Sequence, residues 1–184
     1  MKSQLPGYAR SRQKYEINLT KTGDVYIMSI ELVRDCLKQW GMDQKILEFP
    51  VSSATVELAA EAVGCEPARI AKTLSFRLPD GVILIVAAGD ARIDNAKFKS
   101  LFHTKAKMLP SDEVAAETGH APGGVCPFGI PSHVRVFLDL SLKRFSTVFP
   151  ACGSSNSAIE LTPAELEMCS GSHSWIDVCR GWQD

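Results

Sequence analysis

The sequence predicts an α+β domain, a mixed and mostly antiparallel twisted sheet flanked by helices. Two observations carry that expectation. Residues 72–78 and 82–87 are β runs joined by Pro79-Asp80-Gly81, the composition of a tight hairpin. Around them, short strand-like runs are separated by stretches whose apolar residues recur every three or four positions, so helices are inserted between the strands.

Taken in order, Met28 opens the first helix, over residues 29–40, where Ile30, Val33, Leu37 and Trp40 share a face and Gly41 ends it. Residues 46–49 make a short strand stopped by Pro50. Ser53 or Thr55 caps a second helix, whose face of Val56, Ala59, Ala60 and Val63 runs out at Gly64. Glu66-Pro67 sets one more turn before the hairpin. Asp94 caps a helix over 96–102, and Ser111 caps the next, with Asp112 and Glu113 complementing the helix dipole in its first turn. Strands follow at 134–140 and 148–152, then the small-residue turn Gly153-Ser154-Ser155-Asn156 and a run over 158–161. Thr162-Pro163-Ala164-Glu165 is a capping box with proline at the first helical position, and residues 175–178 form a last strand.

With 184 residues, 45% hydrophobic and 22% charged, the chain can bury one sizeable core. A formal net charge of −1 excludes a general polyelectrolyte binder, so contact with nucleic acid would run through a local patch. Residues 1–27 carry +3 and the remainder −4. The division expected is a basic N-terminal arm over 1–27 without chemistry of its own and a single domain over 28–184. No apolar run is long enough to span a membrane, and no secretory signal opens the chain. The six cysteines include no C-x-x-C and no Cys/His knuckle, so no metal site is expected; reduced, mostly buried thiols in a cytoplasmic protein are.

Residues 119–129 read Gly-His-Ala-Pro-Gly-Gly-Val-Cys-Pro-Phe-Gly, and four glycines with two prolines exclude both a helix and an uninterrupted strand. Such a stretch, stiff and stripped of side chains, presents its amides to a ligand or to another part of the chain. Lys72, at the head of an otherwise apolar strand, is either a solvated strand-end lysine or an ammonium held beside a pocket, able to grip a phosphate or polarise a carbonyl. Cys126 with His120 or His133 as base would make a thiol nucleophile, but Pro127 forbids the helix of a nucleophile elbow and a small apolar filler fits better. His103 and His173 read as surface or satisfied histidines, and Asp90 and Asp94 as turn and capping carboxylates. The 153–156 turn is a plain turn or the far wall of a pocket.

These pieces, in this order, resemble the YbaK family, related to the editing domain inserted in bacterial prolyl-tRNA synthetases. The resemblance runs through Ala71-Lys72-Thr73-Leu74 after Glu-Pro-Ala-Arg-Ile, Ala88-Gly89-Asp90 with Asp94, Gly123-Gly124-Val125-Cys126-Pro127-Phe128-Gly129, and Cys152-Gly153-Ser154-Ser155-Asn156 ahead of Glu160-Leu161-Thr162-Pro163. It covers roughly residues 28–178 and leaves the arm out. It implies an aminoacyl-tRNA deacylase acting in trans, which clears a small amino acid (cysteine, alanine or serine class) from the 3′ end of a mischarged tRNA. A synthetase pocket rejects a smaller side chain by only about 1–3 kcal/mol per methylene, so a second sieve is needed. The resemblance also implies no cofactor, metal or side-chain nucleophile, possible association with a synthetase, and no part for DNA or membrane. By position, Lys72, Gly123 and Gly124 take the catalytic roles, the glycines bare so that substrate reaches the amides. Val125, Pro127, Phe128, Gly129, Gly153 and Ser155 bind substrate. The 153–156 turn lacks the arginine-bearing pattern of well-known bacterial members, which leaves a non-catalytic module that binds aminoacyl-tRNA or a synthetase as the alternative.

Overall fold

The structure, a computed structural model, describes residues 24–183, so most of the expected basic arm lies outside the described residues. The first half of the chain runs α1 (Asp24–Lys38), β1 (Leu47–Glu48), α2 (Val56–Val63), β2 (Ile70–Leu78), β3 (Gly81–Ala88), β4 (Arg92–Ile93), α3 (Asn95–Phe102) and α4 (Ser111–Thr118). The second runs β5 (Arg135–Asp139), β6 (Phe149–Pro150), β7 (Ser157–Ala158), α5 (Pro163–Ser170), β8 (Ser174–Ile176) and β9 (Cys179–Arg180). This is the expected α+β architecture.

Five strands make the central sheet, in the order β6-β2-β3-β5-β8. Its axis is the β2–β3 hairpin, antiparallel from Ala71↔Ala88 to Leu78↔Gly81 and turned by Pro79-Asp80. β6 joins β2, β5 joins β3 and β8 joins β5 in parallel, while β1·β7 and β4·β9 form separate antiparallel pairs. Parallel neighbours need cover on both faces, and β3 has it: Val82 through Ala88 are all buried. That is why its sequence is a continuous apolar run. Each such large side chain is worth about 1.5–3 kcal/mol when buried. On one side a chain of ring contacts links Phe76 of β2 to Phe98 and Phe102 of α3 and Phe137 of β5, at centroid separations of 4.7–5.4 Å. Helix α1 adds Ile30, Val33 and Leu37 to the core, and α2 packs Ala59 and Ala60 on Ile70 and Phe149.

The end signals mostly hold. Thr55, not Ser53, caps α2 by accepting from the Leu58 N–H, and Gly64 closes it in the left-handed conformation. Asp94 accepts from Ala96 and Lys97 at the head of α3, and the Thr162–Glu165 capping box is complete. Two expectations are corrected. α1 begins at Asp24, ahead of Met28, and Trp40 lies beyond its end. Ser111 is the first residue inside α4, and the preceding Pro110 offers no side-chain cap. β4 and β9, two residues each, are too short to carry a sequence pattern.

Buried Asp139 fastens the far end of the hairpin. Its carboxylate accepts from the Ser141 and Val178 N–H groups, while the Ser141 hydroxyl accepts from Ala88. Val178 in turn accepts from the Asp94 N–H. The turn leaving β3 is thereby tied to the C-terminal segment. No helix among the described residues is long and apolar enough to cross a membrane.

Candidate functional site

Lys72, third residue of β2, turns its side chain past Ala87, its partner on β3, to the turn that follows that strand. Its Nζ donates to the Gly89 carbonyl at 2.9 Å and to the Ala91 carbonyl. Burial holds the ammonium below the usual lysine range, against the pull of Asp90 and Glu57. An ammonium has three N–H donors, so one is left for a ligand. Gly89 is bare of necessity: a Cβ there would lie 2.0 Å from the Pro67 carbonyl oxygen and 2.8 Å from Val56 Cγ1. The lysine is therefore set against the head of α2.

The glycine loop reaches the same place. Ala121-Pro122-Gly123-Gly124 is a turn closed by Gly124 N–H donating to the Ala121 carbonyl at 2.9 Å, with Gly123 at φ +85°. Proline second and a left-handed glycine third is the type II pattern. The N–H groups of Gly123 and Val125 have no backbone acceptor among the described residues. A Cβ on Gly123 would meet Ala54 at 3.0 Å and Ser155 at 3.8 Å; one on Gly124 would meet the Ser154 backbone at 2.9 Å. Segment 52–55 is itself bound to the 153–156 turn, the Ser53 N–H and hydroxyl both donating to the Ser155 carbonyl at 2.6 and 3.2 Å. Lys72, the 123–124 turn, the 154–155 turn and segment 52–55 thus converge around the start of α2.

Beneath the loop lies a buried polar post. Ser29 of α1 donates to His120 Nδ1 at 2.6 Å, and His120 Nε2 donates to the Phe128 carbonyl at 2.8 Å. A carbonyl only accepts, so a proton sits on Nε2, and burial, which lowers the ring's pKa, favours the neutral ring with Nδ1 accepting from Ser29. Gly129 and Gly153 close on α1 as well, their missing Cβ atoms falling 3.2 Å from Leu32 and 2.7 Å from the Ser29 carbonyl.

Several sequence expectations change. Gly124 is bare for the Ser154 backbone, and its N–H is spent within the turn, so it does not stand open to a ligand. Phe128 is fully buried in the core and lines no open wall; Pro127 is buried too, whereas Val125 and Gly129 are half-buried. Gly153 is buried against α1 and Ser155 half-exposed at the junction. Cys126 does lie 3.5 Å from His120, but the thiol is fully buried and pushed up to about 12, and the histidine already spends its proton on Phe128. That pair is a packing unit, not a nucleophile with its base. His133 is exposed, 3.9 Å from Glu117, and Asp90 pairs with Arg144. Ser29, the 52–55 segment and the anchoring role of His120 carried no signal in the sequence, because their partners lie about a hundred residues away. A separate groove of about 650 Å³ between α3 and β8, lined by Lys97, Leu101 and Trp175 among others, contains none of the expected residues. Among the described residues no group of His, Cys, Asp or Glu is placed to hold a metal ion.

Known proteins share this fold. Residues 51–169 match the family described as the aminoacyl-tRNA editing domain. The chain is 59% identical over 157 residues to "Uncharacterized protein YwhH" of Bacillus subtilis, covering 85% of this chain and all of that one. It is 30% identical over 145 residues to "Putative Cys-tRNA(Pro)/Cys-tRNA(Cys) deacylase EbsC" of Enterococcus faecalis, covering 76% and 88%. Among solved structures, "a putative trans-editing enzyme for prolyl tRNA synthetase" superposes with a TM-score of 0.75 at 32% identity, over 83% of this chain and 98% of that one.

Proposed function

We propose that the chain, which belongs to the aminoacyl-tRNA editing domain family, hydrolyses the ester between a small amino acid and the 3′ end of tRNA, acting in trans on a product released by a synthetase. The cysteine, alanine or serine class is the substrate. The observation that carries this reading is the convergence of a half-buried lysine and a bare-backbone loop at the head of α2.

In this reaction a water, assisted by the substrate's own 2′-hydroxyl or thiol, attacks the ester carbonyl carbon. With water, the tetrahedral oxyanion that forms is met by the unspent N–H groups of Gly123 and Val125; it collapses by expelling the ribose oxygen, which takes up the proton lost by the attacking water. The remaining Lys72 N–H grips the terminal ribose or the amino acid. Gly89 and Ala91 aim that ammonium through their carbonyls, so little ordering remains to be done when substrate arrives. Val125 and Ser155 border the space left for the amino acid, while Pro127, Phe128, Gly129 and Gly153 support it from below.

The test is hydrolysis of a panel, with Cys, Ala, Ser and Pro each on proline tRNA and on the cognate tRNAs, by wild type and Lys72→Ala. Release of one small amino acid by wild type, at least about 100-fold slower in folded Lys72→Ala, is the expected result. One observation favours a second reading. Lys72 and Gly124 spend donors inside the protein, as they would in a module that binds aminoacyl-tRNA or a synthetase without turnover. Wild-type protein that binds the panel and releases nothing would select it.

A further inference from the structure

We propose that Arg92 and Arg180 form a phosphodiester clamp that seats the RNA backbone of the substrate's acceptor end beside Lys72, an inference that rests on the reading above. β4 and β9 are a two-residue antiparallel ladder with Arg92 directly opposite Arg180. Opposed residues of such a pair project to the same face with Cβ atoms about 4.5–5.5 Å apart, where like charges repel. Both side chains are exposed. Every other arginine among the described residues, at 34, 69, 77, 135 and 144, lies within ion-pair reach of a carboxylate. Arg92 and Arg180 have none among the described residues, and they face each other.

Between them opens a groove of about 460 Å³ lined by Asp90, Arg92, Arg180 and Gly181. Of the carboxylates near it, Asp90 is paired with Arg144, while Asp94 accepts from the Ala96 and Lys97 N–H groups and keeps its charge near Arg180, so two guanidiniums face one carboxylate. The groove is left with a positive balance. Two guanidinium forks offer paired N–H donors that match the oxygens of a phosphate, which an ammonium cannot do. The turn that carries Asp90 and Arg92 is also the one whose Gly89 and Ala91 carbonyls hold Lys72. A strand of phosphates crossing the β4–β9 ladder therefore leads to the lysine. A chain of net charge −1 has need of such a local patch if it is to hold RNA.

The probe is a labelled RNA hairpin with an unpaired CCA end, titrated by fluorescence anisotropy over a range of salt concentrations. Wild type is compared with Arg92→Gln/Arg180→Gln and with Lys105→Gln/Lys107→Gln, which removes the same charge from an exposed loop elsewhere. The arginine variant is expected to bind roughly tenfold more weakly, with a log–log salt slope shallower by about 1.4–1.8, the value for two lost phosphate contacts. The lysine variant should stay within about twofold of wild type on the same scale. Equal affinity and slope for wild type and the arginine variant would overturn the clamp, as would no hairpin binding by wild type or an equal loss in the lysine variant. Wild type that prefers inorganic phosphate to the hairpin would overturn the RNA assignment. Thermal melting guards against a merely structural role: relief of the Arg–Arg repulsion should leave the midpoint unchanged or raised, and a fall of several degrees would count against the clamp. The same preparations run on the aminoacyl-tRNA panel separate the two ideas. Arginine-dependent hairpin binding without hydrolysis removes the deacylase and keeps the clamp; hydrolysis with arginine-independent binding does the reverse.

Discussion

The β2–β3 hairpin and the site built around the glycine loop are stabilised in opposite ways. The hairpin joins neighbours in sequence across Pro79-Asp80 and buries nearly the whole of β3. The site joins strangers: Ser29 to His120, Ser53 to Ser155, Gly124 to Ser154. Apolar burial secures the first, whereas the second depends on long-range hydrogen bonds and on the Gly124 and Ser154 backbones, which approach too closely for a side chain. Stability and activity should therefore respond to different substitutions.

The largest separation is expected from Gly124→Val. Its Cβ would stand 2.9 Å from the Ser154 backbone, so the two turns must part. Deacylation should fall by about 100-fold or more, as displacements near 1 Å do at a reacting centre. Circular dichroism should still report a folded chain. Full activity would mean that the two turns do not form one site.

Ile85→Ala probes the other side. Ile85 is fully buried at the middle of β3, and its truncation should cost about 2–5 kcal/mol in chemical denaturation. Turnover per folded molecule should be unchanged; a parallel loss of turnover would erase the distinction between the regions.

A smaller effect is expected at His120. Burial lowers its pKa in the folded protein, so the unfolded chain binds the extra proton more readily. Its contribution to stability is complete above the unfolded value of about 6.5 and is lost as pH falls from there towards the folded pKa. The melting temperature of wild type should drop over that window. His120→Gln should lose about 1–3 kcal/mol through the disturbed Ser29 and Phe128 contacts and show a flatter pH profile. An unchanged profile in the variant would assign the acid sensitivity to another group.

What could be read from the sequence follows the same division. The hairpin, the Thr55 and Asp94 caps and the Thr162–Glu165 box are local agreements between residue type and backbone, and each is legible within a few positions. The glycine loop was recognisable as a stretch that must be bare, but not what it is bare for. Gly124 meets Ser154, thirty residues on, and Gly153 meets Ser29, more than a hundred residues back. The resemblance makes Phe128 a substrate-binding residue, and only the fold shows it closed into the core. Arg92 and Arg180 carry no signal in the sequence, because a two-residue ladder leaves no periodicity to find.

The buried thiols bear on how such a protein would age in the cell. Burial pushes Cys126 up to about 12 and Cys152 and Cys179 well up too, so at pH 7 these thiols stay protonated. Peroxide, glutathione disulfide and activated acyl groups all react with the thiolate, so these positions present almost nothing to oxidise, exchange or acylate. A protein that handles cysteinyl esters would meet free cysteine at every turnover. The sulfurs of Cys126, Cys152 and Cys179, held protonated within the core, would be spared mixed disulfides with it, whereas Cys36 and Cys65, only half-buried, lie outside that protection.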